Sequence, residues 1–153
     1  MVNKFILRVC VCVECSSNAE MEEKMNKRQI KLSCYLEQLN IEVVKVEMIL
    51  NQLNRLKNNQ EIANYIVERD LLKTRCQLEL SLASLCIILR KMCENQFITL
   101  NQERRKDINS IIHSNRFDFF EDDKVYVFSQ KGQEEVNIIQ LLDYAKKIFK
   151  EIV

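Results

Sequence analysis

Residues 32–53 read LSCYLEQLNIEVVKVEMILNQL, and this stretch carries the strongest structural pattern in the chain. Aliphatic residues recur there in alternating steps of four and three: Leu32, Leu36, Leu39, Val43, Val46, Leu50 and Leu53. A straight helix turns every 3.6 residues or so, and a strict period of about 3.5 keeps one stripe against a neighbour only if the two supercoil. The pattern therefore predicts a helix that lies along other helices. We call these seven residues the seam.

The same helix, expected over about residues 22–57, carries further apolar residues outside the seam: Ile30, Ile41, Val44, Met48, Ile49 and Leu56. A two-stranded coiled coil normally keeps such positions polar, because they face water. We therefore expect this helix to contact at least two others, as in a three- or four-helix bundle.

A second helix is predicted over residues 61–95. Its apolar stripe is interrupted by Arg75 and otherwise consists of Leu71, Leu78, Leu82, Leu85, Leu89 and Met92. Asn58 and Asn59 are the best break between the two helices, since Asn tolerates the left-handed conformation that ends helices. Two architectures stay open: a helical hairpin, or one rod over residues 22–95 that would be roughly 110 Å long.

The remainder, residues 96–153, is predicted to form a small head of helix, β-hairpin and helix. Thr99 or Asn101 would cap a short helix that ends near Ser114. Two aromatic and β-branched runs, 116–120 and 124–128, flank an acidic turn, which is typical of a β-hairpin. A last helix is expected over residues 133–153. The hairpin aromatics would either anchor a partner or cover the last helix.

Composition supports a mainly α fold with long amphipathic helices, because the 153 residues include no proline and one glycine, Gly132. The net charge of +1 gives no field that would draw the chain to DNA or an anionic membrane. Residues 1–20 differ from the rest and are predicted to be a poorly ordered extension, in which Arg8 splits the apolar run that a signal peptide needs. The odd count of seven cysteines predicts reduced thiols in a cytoplasmic or nuclear protein.

No catalytic, cofactor-binding or metal-binding residues are predicted. The one histidine, His113, has no positioned nucleophile or orienting partner in the sequence. Cys10, Cys12 and Cys15 lack a fourth ligand at zinc-site spacing. The basic run at residues 104–106, followed by a hairpin, suggests nucleic-acid binding only weakly, because the hairpin tip is acidic.

These observations predict a non-enzymatic helical subunit of an intracellular multiprotein assembly, a hetero-oligomer whose partners are other helical proteins. The predicted interface consists of the seam together with Leu78, Leu82, Leu85, Leu89, Phe117, Phe119, Tyr126 and Phe128. The alternative is a compact monomeric bundle, an adaptor of the signalling or viral kind that binds a partner helix in a groove. A weak nucleic-acid-binding module is a more distant third.

Overall fold

Four helices and one three-stranded antiparallel sheet make up the computed structural model, which describes residues 18–58, 64–121 and 124–152. The elements follow in the order α1 (Asn18–Asn58), α2 (Asn64–Glu94), α3 (Gln102–Ile112), β1 (Arg116–Glu121), β2 (Lys124–Ser129), β3 (Gly132–Asn137) and α4 (Ile138–Ile152). The predicted mainly helical class with a C-terminal hairpin and terminal helix is confirmed. Residues 18–20, which were predicted to belong to the N-terminal extension, are helical and begin α1. The rest of the predicted extension, with its three thiols, lies outside the described residues.

The two long helices pack antiparallel as a hairpin, so the rod is not what the chain forms. At the open end, Arg28 on α1 donates from Nη1 to the backbone oxygen of Asn95, at 3.0 Å. The same guanidinium lies 4.2 Å from the ring centre of Phe97, and that ring meets Tyr35 edge-on. In a rod, residues 28 and 95 would be roughly 100 Å apart.

The buried stripe of α2 differs from its predicted course at one position. Thr74 is buried where Arg75 was expected to interrupt the stripe, and Arg75 is only half-buried. The hydroxyl of Thr74 donates to the backbone oxygen of Asp70 at 2.7 Å, so it is satisfied inside the helix. Between Leu71 and Leu78, the buried stripe therefore contains Thr74, a small hydrogen-bonded residue, rather than a charged residue.

Helix α2 ends without a glycine, one residue before the predicted end at residue 95. Gln96 adopts the left-handed conformation with φ of 65°. The amide of Phe97 then donates back to the oxygen of Met92 at 2.9 Å, and that of Gln96 to Cys93 at 3.0 Å. These two bonds form the Schellman type of helix end, here with glutamine in the place that glycine usually takes.

The sheet has one strand more than predicted, and the terminal helix begins later. Residues 133–137 were expected to be helical, but they belong to β3, which pairs with β2 through Val136↔Val125 and Glu134↔Val127. Gln130 and Lys131 form the turn between these strands, and Gly132, with φ of 111°, follows it as the first residue of β3. A lone hairpin is marginal in water, and pairing with β2 overrides the helix propensity of Gln and Glu.

Side-chain caps set where the two short helices begin. Asn101, one of the two predicted caps, accepts from the amide of Arg104 at 2.8 Å and starts α3. Asn137 does the same for Gln140 at 3.0 Å, which places the start of α4 at Ile138. The buried face of α4 joins a core shared with the hairpin and the sheet: Ile138, Leu141, Leu142, Ala145 and Ile148. None of the helices in the described ranges is long and apolar enough to cross a membrane.

Candidate protein-interaction surface

The seam is occupied within the chain itself. Its seven residues are buried in the core, and so are the four predicted interface leucines of α2: Leu78, Leu82, Leu85 and Leu89. A partner cannot reach these side chains while the hairpin is closed. The eleven residues therefore hold α1 against α2, and a surface for a partner has to be found elsewhere.

The hairpin aromatics divide between the two faces of the sheet. Phe117 is buried on the face that packs on the helices, beside its register partner Val127. Tyr126 and Phe128 are half-buried on the opposite face, where the guanidinium carbon of Arg116 lies 4.6 Å from the Phe128 ring centre. Phe119 belongs to β1, but its side chain lies outside the described part of the structure. Of the predicted aromatic anchors, Phe117 thus belongs to the core, whereas Tyr126 and Phe128 stay partly accessible.

A second stripe runs along the side of α1 that faces away from α2. Its residues follow the steps 4, 3, 4, 3 and 4, and all are exposed: Ile30, Cys34, Glu37, Ile41, Val44 and Met48. We call it the outer stripe. It lies roughly 150° around the helix from the seam and is about 27 Å long. Ile30 is 64% exposed and Met48 65%, which is unusual for residues of this size in a regular pattern.

Helix α4 covers one flank of α1 but stops short of the outer stripe. Its Lys146 Nζ lies 2.6 Å from Glu47 Oε1, and the hydrogen bond to this carboxylate, reinforced by its negative charge, raises the pKa of the lysine. Beside it, Ala145 and Phe149 approach Leu39 and Val43 around a cavity of about 130 Å³. Thus α1 contacts α2 and α4, and no other element in the described ranges covers the outer stripe.

The outer side of α2 carries a shorter apolar set. Leu72, Cys76 and Leu80 are exposed, with Leu80 at 72%, and Ala83 and Ile87 continue the line half-buried. Lys73 is exposed beside Leu72, and Arg75 lies half-buried beside Cys76. Both long helices therefore present apolar residues on the sides that face away from the seam.

A polar cleft of about 500 Å³ separates α3 from the turn between β2 and β3, and His113 lies there. The Ser110 hydroxyl contacts the carboxylate of Glu134 and lies 2.8 Å from the backbone oxygen of Lys106. Within the described ranges, no hydrogen bond joins the imidazole of His113 to Ser110 or Glu134. A relay of nucleophile, base and orienting acid would need those bonds. The Ser110 contact fastens β3 to α3 instead.

The basic run of α3 is largely engaged by the chain. Arg104 is buried, and its Nη1 lies 2.9 Å from Oδ2 of Asp107; burial raises the pKa of that carboxyl, while the arginine lowers it. Arg105 donates from Nε to the oxygen of Leu100 at 3.1 Å. Two of the three cations that suggested nucleic-acid binding thus bind protein groups.

The outer stripe was only half visible in the sequence. Four of its six members, Ile30, Ile41, Val44 and Met48, can be recognised in the sequence as apolar residues beyond the seam. Which side of α1 stays uncovered is known only from the positions of α2 and α4 in the structure. Among the described residues, no three His, Cys, Asp or Glu side chains gather as a metal site. No protein-family model, curated protein or solved structure matches this chain.

Proposed function

We propose that this protein is a non-enzymatic helical subunit of a multiprotein assembly and that a helix of another subunit packs along the outer stripe of α1. The observation that supports this is the regular, exposed apolar pattern from Ile30 to Met48. Apolar residues in steps of three and four are what a facing helix needs for knobs-into-holes packing. The proposal keeps the cytoplasmic or nuclear setting that the cysteine count predicts.

The closed hairpin changes which residues carry the interaction. The seam holds the subunit together, and the outer stripe takes the role that the seam had in the sequence-based prediction. Substituting Asp for Leu39 and Val46 would place two carboxylates among fully buried side chains and unfold the chain. That variant cannot report on a partner, whereas substitutions at exposed Ile41 and Val44 can.

A groove-binding adaptor is less well supported by the shape of the molecule. The apolar cavity between α1 and α4, of about 130 Å³, is well below the roughly 300–1,000 Å³ of ordinary ligand pockets. Larger clefts, of about 490–510 Å³, all carry polar or charged groups in their lining: Lys106 and Lys131 at α3, Lys147 and Glu151 beside Phe97, and Glu37 beside Ile30. A regular apolar stripe along one helix fits helix-on-helix packing better than insertion of a helix into a groove.

Site-specific photo-crosslinking in the source cells tests the proposal. A photo-reactive residue in place of Val44 should give one discrete adduct with another protein, and mass spectrometry should locate it in a segment with apolar residues in steps of three and four. The double variant Ile41→Asp, Val44→Asp should abolish co-purification of that protein without loss of helicity, because both side chains are exposed.

The matched control uses an exposed position on the same helix outside the stripe. A photo-reactive residue at Asn54, or the variant Asn54→Asp, should leave adduct and co-purification unchanged. Equal adducts from positions 44 and 54, or co-purification that survives Ile41→Asp, Val44→Asp, would contradict the proposal.

A further inference from the structure

We infer, building on the proposed function, that the helix bound by the outer stripe comes from a different protein, has a basic residue opposite Glu37 and has acidic residues along one edge. The inference depends on three features of α1: a carboxylate inside the stripe, lysines along one edge, and α4 along the other edge.

Glu37 lies inside the apolar pattern, between Cys34 and Ile41. It is exposed, and its carboxylate makes no hydrogen bond or ion pair within the described ranges. A facing helix would remove water from this group, and an ionised carboxylate left unpaired in an interface lowers the affinity. A partner that binds tightly must therefore supply Arg or Lys at this level. Such a polar contact within an apolar seam also fixes the register of the two helices.

The edge of the stripe away from α4 is basic. Lys31 and Lys45 lie one position beyond Ile30 and Val44, and Lys24 continues the edge toward the N-terminus. Lys31 Nζ donates to Oδ1 of Asn95 at 2.7 Å, and Lys45 is 3.6 Å from the carboxylate of Glu42. All three lysines are exposed, so acidic residues on a facing helix could reach them.

The edge of the outer stripe toward α4 has no unpaired carboxylate that could face the lysines of a second copy. It carries Asn26, Ser33, Asn40 and Glu47, and the one carboxylate among them is held by Lys146. On α4, Lys150 is exposed beside Asn40, so this edge is not acidic either, and the three lysines of α1 make the opposite edge the more basic of the two. A complementary helix therefore has acidic residues along the edge that faces Lys31 and Lys45.

This pattern disfavours a second copy of the chain as the occupant. In an antiparallel pair of outer stripes, like edge meets like edge, so Lys31 and Lys45 would face the same lysines of the copy. In a parallel pair, Glu37 would face its own counterpart across the interface. Neither arrangement supplies a cation for Glu37, and like charges across an interface lower affinity.

The outer side of α2 is not complementary either. Its exposed leucines, Leu72 and Leu80, are accompanied by Lys73, Arg75 and Lys91, with Glu79 as the acidic neighbour. Packing the outer stripe of one copy on α2 of another would bring mostly cations to the lysine edge. The charges of this chain therefore select a different protein.

Two designed peptides provide the test with the full chain. Both are helical, about three heptads long, and carry Leu and Ile in steps of three and four. The acidic-edged peptide has Arg opposite Glu37 and Glu along one edge; the basic-edged control has Glu opposite Glu37 and Lys along that edge. In fluorescence anisotropy at low salt, we expect the acidic-edged peptide to bind at least about tenfold more tightly.

Charge-reversed variants make the preference specific to this surface. Lys24→Glu, Lys45→Glu should reduce or reverse the preference for the acidic-edged peptide, because it replaces two cations of the basic edge by carboxylates. These two lysines are chosen because, unlike Lys31, neither makes a hydrogen bond or ion pair with the α2 end of the hairpin among the described residues. The control Lys106→Glu, Lys131→Glu changes net charge equally in the head and should leave the preference intact. Glu37→Lys should weaken binding of the acidic-edged peptide, because the central Arg of that peptide would then face a lysine.

The outcomes separate this inference from the proposed function. Equal binding of both peptides, abolished by Ile41→Asp, Val44→Asp, would overturn the charge selectivity but leave helix docking standing. Binding of neither peptide would overturn both. Sedimentation equilibrium should show a monomer, and a reversible dimer that Ile41→Asp dissociates would make a second copy the occupant and overturn the inference.

Discussion

Leu80 and Leu82 lie two residues apart on α2 and have opposite environments. Leu82 is fully buried against the seam, whereas Leu80 is 72% exposed. We expect Leu82→Ala to lower the free energy of unfolding by about 2–5 kcal/mol, because it leaves a cavity in the core. Leu80→Ala, the matched control, should change it by less than about 0.5 kcal/mol. Urea unfolding followed by circular dichroism measures both, and similar costs would mean that Leu80 is covered in solution.

Cys86 is buried in the same core, while Cys34 and Cys76 are exposed. Burial raises the pKa of the Cys86 thiol, and the negative charge of Asp107 raises it further. Since the thiolate is the reactive form, Cys86 should resist iodoacetamide in mildly alkaline buffer until urea unfolds the chain. Peptide mass spectrometry should find Cys34 and Cys76 modified first. Labelling of Cys86 at the rate of Cys34 would show that the two long helices separate readily in the native state.

At the scale of single elements, α3 depends on Asn101, one of the two caps that the sequence predicts. The side chain of Asn101 satisfies the amide of Arg104. Asn101→Ala should therefore cost about 1 kcal/mol in thermal or urea unfolding, and Asn101→Asp should retain most of the stability, because a carboxylate also accepts that bond. The exposed neighbour Gln102→Ala is the control, with an expected change near zero. A neutral Asn101→Ala would mean that packing alone holds the start of α3.

The features that could be predicted from the sequence are those that depend on nearby residues in the chain. The seam and the cap at Asn101 depend on spacing and on side-chain chemistry within a few residues, and both were recognised. Strand β3 was missed because Gln133, Glu134 and Glu135 carry no strand signal, and only pairing with β2 makes them extended. Recognising the outer stripe required the position of α4, which depends on tertiary packing and cannot be read from a local sequence pattern.

For the molecule as a whole, the closed hairpin decides which surface remains for a partner. If residues 18–94 formed a rod, the seam would be open and would itself require other chains. Closure instead buries the seam and leaves the outer stripe, so the proposed function depends on the fold-back between α1 and α2. Closure is seen in the core that the seam shares with the leucines of α2, and in the contacts at the open end between Arg28 and the Asn95–Phe97 segment.

A distance measured across the hairpin checks this closure. Spin labels at Lys27 and Glu94, both exposed, should give a short distance, within roughly 25 Å, because packed helix axes are about 8–10 Å apart. A rod would separate the two positions by roughly 100 Å. Labels at Lys27 and Gln52, both on α1, serve as the control, since about 38 Å is expected in either architecture. A long distance for the first pair with the control unchanged would reopen the seam as the partner surface and remove the basis for assigning the outer stripe.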